Sequence, residues 1–215
     1  RGFFENLSIS DPTIPRENLD IPIDEPGFRE NTDDTGSDPF EGEGLEGLPS
    51  SYSINPTNPY IRDEEAVFRE VRRSFETWDS HTSAELFADD VSVTFKSGFE
   101  KDGENVVSFG EIESYDAVGV ANVWTEDGNI VEYDIVLNVS YEWGIDPDGE
   151  GPRGISSFDV QNIVTHEVGH ALGLRDLRDG KYSELTMYYR SRPGGTKKIS
   201  LEDGDVRRLT GIYGS

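Results

Sequence analysis

His166 and His170 stand four residues apart in the stretch THEVGHALGLRDL, residues 165–177, and Glu167 directly follows the first histidine. Four residues is slightly more than one helical turn, so on a helix the two imidazoles lie one above the other. Imidazoles set in this way can hold a divalent metal. The glutamate between them then sits beside a metal-bound water as a base and does not ligate the metal. Val164, Val168 and Leu172 take a roughly opposite face, which gives the helix a core side and a metal side. A catalytic zinc centre needs a third protein ligand and keeps its fourth position open. The chain has no cysteine and only three histidines. The third histidine, His81, lies far upstream and reads as an exposed polar helix end. The missing ligand is therefore sought among the carboxylates. Gly173 lies three residues past His170, where a helix can stop through the left-handed backbone that glycine adopts at least cost. Asp176 lies three further on, and a sharp turn at Gly173 swings it back towards the imidazoles. Asp179 is its nearest rival. Glu184 and Glu202 are the candidates if a more distant glutamate completes the site.

The elements that must position these residues follow from periodicity. The run RDEEAVFREVRRSFETWD places Val67, Val71, Phe75 and Trp78 on one helical face, with charges covering the other. SYSINP, VSVTF and ENVVSFGEI read as strands. AVGVANVWTEDGNIVEYDIVLNV reads as two strands joined at Asp127-Gly128, a hairpin signal. A second helix is expected after Ser157, with Ser156 and Asp159 at capping-box spacing. A closing helix is expected after Ser200 as cap, with Val206, Leu209 and Ile212 as its apolar stripe. This order predicts an α+β fold and not alternating βα units.

Composition divides the chain near residue 50. Residues 1–50 carry thirteen acidic and three basic side chains with scattered Pro and Gly, and lack the apolar period of a core. They read as an acidic arm, a pro-segment or linker, attached to a globular unit at 51–215. The net charge of −25 opposes binding to a phosphate backbone. No run has the apolar length of a membrane span. Without cysteine there are no disulfides, no thiolate ligands and no latency by a thiolate on the metal. Asp146, Asp148 and Glu150, alternating around Gly149, are candidate calcium ligands, with a plain acidic loop as the other reading.

The extended motif His166-Glu-Val-Gly-His170-Ala-Leu-Gly173-Leu-Arg-Asp176 resembles that of the metzincin metalloendopeptidases, with aspartate in place of the usual third histidine, as in the snapalysin branch. More of the chain, roughly residues 50–215, resembles the matrixin-like group, of a prokaryotic or archaeal type. The matching segments are YSINPTNPYIRDEEAVFREVRRSFETW, DGENVVSFGEI, NIVEYDIVLN and LEDGDVRRLTGIYG. The histidine-rich structural zinc loop of animal matrixins is absent.

The resemblance implies a twisted, mainly parallel sheet with an antiparallel edge strand, an active-site helix and a C-terminal helix. It also implies zinc on His166, His170 and Asp176, Glu167 as general base, and a monomer cleaving protein or peptide substrates outside the cell. Met187, the only methionine, falls where metzincins carry a supporting turn. Tyr189 matches the tyrosine that assists in several branches. A substrate is expected to lie along a sheet edge, with the strand around Asp134–Asn138 as the candidate. Arg190, Arg192, Lys197 and Lys198 form a basic cluster in the segment that shapes the pocket past the scissile bond, which suggests a taste for acidic or polar residues there, with a solvated basic loop as the other reading. The acidic arm is expected to dock on that cluster and cover the cleft, with Glu43 in FEGEG as a blocker of the zinc. The alternative function is a non-catalytic metal-binding or interaction module that keeps the fold.

Overall fold

The computed structural model describes residues 44–112, 117–146 and 156–215, together with the backbone of 21–22. In chain order the elements are β1 (Ile21–Pro22), β2 (Ser53–Ile54), α1 (Glu64–Asp79), β3 (Ser92–Val93), β4 (Val106–Gly110), β5 (Gly119–Glu126), β6 (Asn129–Asn138), β7 (Trp143–Gly144), β8 (Phe158–Asp159), α2 (Val160–Ala171), β9 (Arg190–Ser191) and α3 (Asp203–Tyr213). The main sheet runs in the order β3-β2-β4-β6-β5. All of its pairings are parallel except β5 with β6. This is the α+β architecture expected, a mostly parallel sheet with one antiparallel edge strand.

Each pairing has a local cause. Asp127 and Gly128 adopt φ of 52° and 86°, both positive, which fits a tight two-residue hairpin turn between β5 and β6. The β4 residues Val106, Val107, Ser108 and Phe109 are all buried, as a central strand covered on both faces requires. The stretch Asp134–Asn138, expected at the edge, proves to be interior. It belongs to β6, which is bonded to β4 on one side and β5 on the other. From Tyr133 to Asn138 the strand is buried throughout, so both faces need cover. The edges are the two-residue β3 and the long antiparallel β5, which is only partly covered from Val120 to Trp124 and exposed at its end.

Helix α1 begins at Asp63, whose carboxylate accepts from the Ala66 N–H at 3.0 Å. It buries Val67, Val71, Phe75 and Trp78 as its period predicts. Two of its side chains reach α2: Trp78 Nε1 donates to Thr165 O at 2.7 Å, and Ser74 Oγ to Gln161 O at 3.3 Å. The two helix starts differ from expectation. Asp159 itself caps α2, accepting from Asn162 N at 2.7 Å, while Ser156 bonds Glu142. Glu202, not Ser200, caps α3, in a reciprocal capping box with Asp205. In both cases a carboxylate nearer the first turn gives better geometry and suits the positive end of the helix. The packed body reaches back to Leu45, whose N–H donates to the Tyr213 hydroxyl at 2.8 Å. Further upstream, the backbone of Ile21–Pro22 pairs antiparallel with β9, Ile21 opposite Ser191 and Pro22 opposite Arg190.

Candidate metal centre

The helix carrying the two histidines is buried along most of its length, and His170 alone of the pair reaches solvent. Every residue from Asn162 to Gly169 is buried, His166 and Glu167 completely. The expected metal side is roofed by the segment around Met187. Gly169 makes that approach possible. A Cβ placed there would lie 2.2 Å from Met187 Sδ and 2.9 Å from Trp78 Cζ2, both in fully buried side chains. Gly169→Ala must therefore push the methionine turn off the helix. Overpacking of this kind costs about 1–3 kcal/mol, more than the helix propensity that Ala regains. The expected result is a melting temperature lowered by roughly 3–10 °C and weakened zinc uptake, read by calorimetry and chelator competition.

Helix α2 ends as the sequence requires. Gly173 has φ 85°, its N–H bonds His170 O at 2.9 Å, and the Leu174 N–H bonds Gly169 O at 2.9 Å. This paired closure is the Schellman stop. It also returns the Leu174 carbonyl to His170, which meets it through Nδ1 at 2.8 Å. His166 Nδ1 meets the Thr186 carbonyl at 2.7 Å. A carbonyl can only accept, so both Nδ1 atoms carry the proton and both Nε2 lone pairs face inward.

Those lone pairs converge. The two Nε2 atoms are 3.2 Å apart, and Asp176 Oδ1 lies 3.4 Å from the first and 3.8 Å from the second. Zinc bonds of about 2.0–2.1 Å in a tetrahedron separate ligand atoms by about 3.3 Å, so the cluster has the dimensions of a zinc site. Asp176 Oδ1 is buried and accepts no hydrogen bond. Three acceptors turned towards one point, with an oxygen left unbonded, are a chemistry that a cation satisfies. Of the described residues, His166, His170 and Asp176 are the one group with this potential. His170 is partly open to solvent and gives the centre its access.

Sequence reasoning missed the groups that hold this arrangement. From α3, Asp205 accepts from Thr186 N at 2.9 Å and Met187 N at 3.3 Å, fixing the methionine turn. One turn on, Arg208 donates to Arg175 O at 2.7 Å, beside Asp176. Leu177 N donates to Met187 O at 2.8 Å, so the Asp176 loop and the methionine turn are zipped together. Gly119, the first residue of β5, runs against Glu167. A Cβ there would be 2.8 Å from Oε1, so the edge strand needs glycine to leave room for the carboxylate. Lys198 is fully buried behind His166, and burial pushes its ammonium down to about 7. Only Asp205 had a sequence signal, its capping-box spacing from Glu202.

The other candidates lie elsewhere. Asp179 is an exposed cap that accepts from Lys181 N at 3.0 Å. Glu184 is exposed beside Lys197, and Glu202 is exposed at the start of α3. Tyr189 packs its ring against the guanidinium groups of Arg178, at 5.3 Å, and Arg190, at 4.9 Å. Arg178 lies 3.7 Å from Asp176 Oδ2, which brings Tyr189 to the border of the cluster. Of the expected basic cluster, Arg192 and Lys197 are exposed and Arg190 is half-buried, but Lys198 is turned inward. His81 is exposed at the end of α1, its Nδ1 2.7 Å from Thr77 O. Asp146 donates its N–H to Asp159 Oδ2 at 2.8 Å. Asp148, Glu150 and Glu43 fall outside the described residues.

Comparison with known proteins gives this geometry a lineage. The matrixin peptidase pattern matches residues 48–214, nearly the whole packed body through the end of α3. This chain belongs to the matrixin family. Interstitial collagenase B of Mus musculus is 26% identical over 172 residues, covering 76% of this matrixin and 32% of the relative. Metalloendoproteinase 1-MMP of Arabidopsis thaliana is 28% identical over 170 residues, covering 76% and 43%. Metalloendoproteinase 1 of Glycine max is 37% identical over 60 residues, 27% of this chain and 18% of its own. The matched region therefore spans less than half the length of each of these relatives.

Proposed function

We propose that this matrixin is a zinc-dependent endopeptidase, with His166, His170 and Asp176 as ligands and Glu167 as general base. The observation that carries the reading is the convergence of two Nε2 atoms and one unbonded carboxylate oxygen, at zinc spacing, on the helix that bears Glu167. When bound, zinc supplies Lewis acidity and brings the acidity of water towards neutral pH. Glu167, held against Gly119 in a water-poor setting, takes the proton from the attacking water and passes it to the leaving amine. The fixed Nδ1 bonds to Thr186 O and Leu174 O hold both imidazoles in the ligating tautomer. Tyr189 is assigned hydrogen bonding to the developing oxyanion, supported by its place beside Arg178. A peptide substrate adds a strand to β5, whose outer side pairs with no strand among the described residues and whose first residue adjoins Glu167. A non-catalytic module is disfavoured by the retained glutamate, since a binding domain has no use for a buried base.

We place the protein outside the cell as a monomer, on its family resemblance. The arm is assigned an intramolecular docking role, favoured by the pairing of Ile21–Pro22 with β9 immediately after Tyr189.

The test is casein hydrolysis by the full chain and by residues 44–215, before and after chelation and with zinc restored. The endopeptidase reading expects activity that chelation abolishes and zinc returns. Docking expects the shorter chain to be several-fold faster, and equal rates remove the docking role alone. Zinc uptake with no hydrolysis by either chain gives the binding module precedence.

A further inference from the structure

Lys198 is fully buried although its neighbour Lys197 is exposed, and among the described residues no carboxylate comes within ion-pair distance of its amine. Its Nζ donates instead to two backbone carbonyls, Thr186 O at 2.6 Å and Tyr188 O. These are the carbonyls on either side of Met187. The Thr186 oxygen also accepts from His166 Nδ1 at 2.7 Å, and Nζ and Nδ1 are 3.5 Å apart. One carbonyl thus serves two donors, one of them a candidate metal ligand. The backbone of Lys198 is itself tied to the same helix. Its N–H donates at 2.9 Å to Asn162 Oδ1, and Asn162 lies one turn before His166. The Asn162 amide completes the frame by donating to Ser191 Oγ at 3.0 Å. The connections close a ring from α2 through Lys198 and Thr186 back to α2.

Burying a lysine amine with no carboxylate in contact is costly, and the fields of Asp176, Asp205 and Glu167 offset that cost only in part. The amine's effect is to fix the direction of the Thr186 carbonyl, which otherwise belongs to a loop. That carbonyl in turn sets the tautomer and ring angle of His166. Partners of this kind tune metal affinity about 10–100-fold.

We propose that Lys198 is a positioning residue of the metal centre, acting through the Thr186 carbonyl to present His166 Nε2. The role rests on the zinc reading above. It differs from a simple staple, which would stabilise the fold equally with and without metal.

Lys198→Met keeps the side-chain length and removes the donor. Zinc affinity by chelator competition, melting temperature with and without zinc, and the visible spectrum of the cobalt-substituted protein separate the two roles. The positioning role expects the zinc dissociation constant to rise about 10–100-fold, the cobalt bands to shift, and the zinc-free melting temperature to change little. Since the chain has no cysteine, Lys198→Cys offers a single thiol. Alkylating it with bromoethylamine in unfolded protein rebuilds a lysine-length amine, and refolding should restore wild-type affinity and spectrum. Unchanged zinc affinity with a lower zinc-free melting temperature would overturn the role, as would failure of Lys198→Met to fold without metal. A refolded aminoethyl protein that keeps the weak affinity of Lys198→Met would also overturn it. A wild type that takes up no zinc removes the zinc reading and this role together, whereas equal uptake by wild type and Lys198→Met removes the role alone.

Discussion

Glu167→Gln is expected to lower kcat on casein or a quenched-fluorescence peptide by about 10²–10⁴-fold while zinc content stays at the wild-type level. The range is what a positioned general base contributes, and it corresponds to about 3–5 kcal/mol of barrier. Glutamine is chosen because the site leaves no room for error. Glu167 is fully buried, and the backbone of Gly119 passes so close that a single added methyl would touch Oε1. The amide has the same shape, so the edge strand and the helix keep their places. What it lacks is the capacity to take a proton. A loss confined to kcat thus separates proton transfer from folding and metal binding. Activity within tenfold of wild type would assign the base to another group.

Asp176→Ala should act on the metal and not on the fold. Removing a partner of a ligand costs 10–100-fold in affinity, so removing the ligand itself should cost at least about 100-fold. The zinc-free protein should not suffer. Asp176 Oδ1 is buried without a hydrogen bond, and the Arg178 guanidinium, 3.7 Å from Oδ2, is half exposed. In the empty protein the carboxylate's burial is offset only in part by the attraction of the buried Lys198 and Arg208, and its main gain comes when the site is loaded. The zinc-free melting temperature is expected to change little, and the further rise that zinc produces in the wild type should vanish. Calorimetry with and without zinc reads both quantities. Tight zinc retention by Asp176→Ala would return the third ligand to open question, although Asp179 is bound up with Lys181 and exposed on the surface.

Much of the centre was legible because its signals are local. The four-residue step from His166 to His170 needs only helical geometry. Gly173 announces the end of that helix by its freedom at positive φ, and Asp176 follows at a distance the turn can close. The buried stripe of α1 and the hairpin at Asp127-Gly128 are likewise settled within a few residues.

Caps were harder to read. Ser156 and Ser200 had suitable chemistry, yet Asp159 and Glu202 took the positions because the chain enters both helices later than the serines suggest. The position of β6 was misread for a different reason. A buried strand shows its apolar run in the sequence, but whether it has one neighbour or two depends on strands distant in the chain. In this fold β4 and β5 flank it, and the long open edge falls to β5.

The residue types, their helix and the stop that follows it were determined by the sequence alone. The tertiary structure decided which atoms face one another. Lys198 looked like one of four surface cations until the fold turned it inward behind His166. Asp205 carried no reading of its own until its carboxylate, besides closing the α3 cap, met the methionine turn. Gly119 and Gly169 looked interchangeable with other glycines until Glu167 and Met187 took up the space a side chain would need. These contacts join parts of the chain up to 48 positions apart (Gly119 to Glu167). Short-range periodicity carries no information about them, because they form only when separate elements pack into a common core.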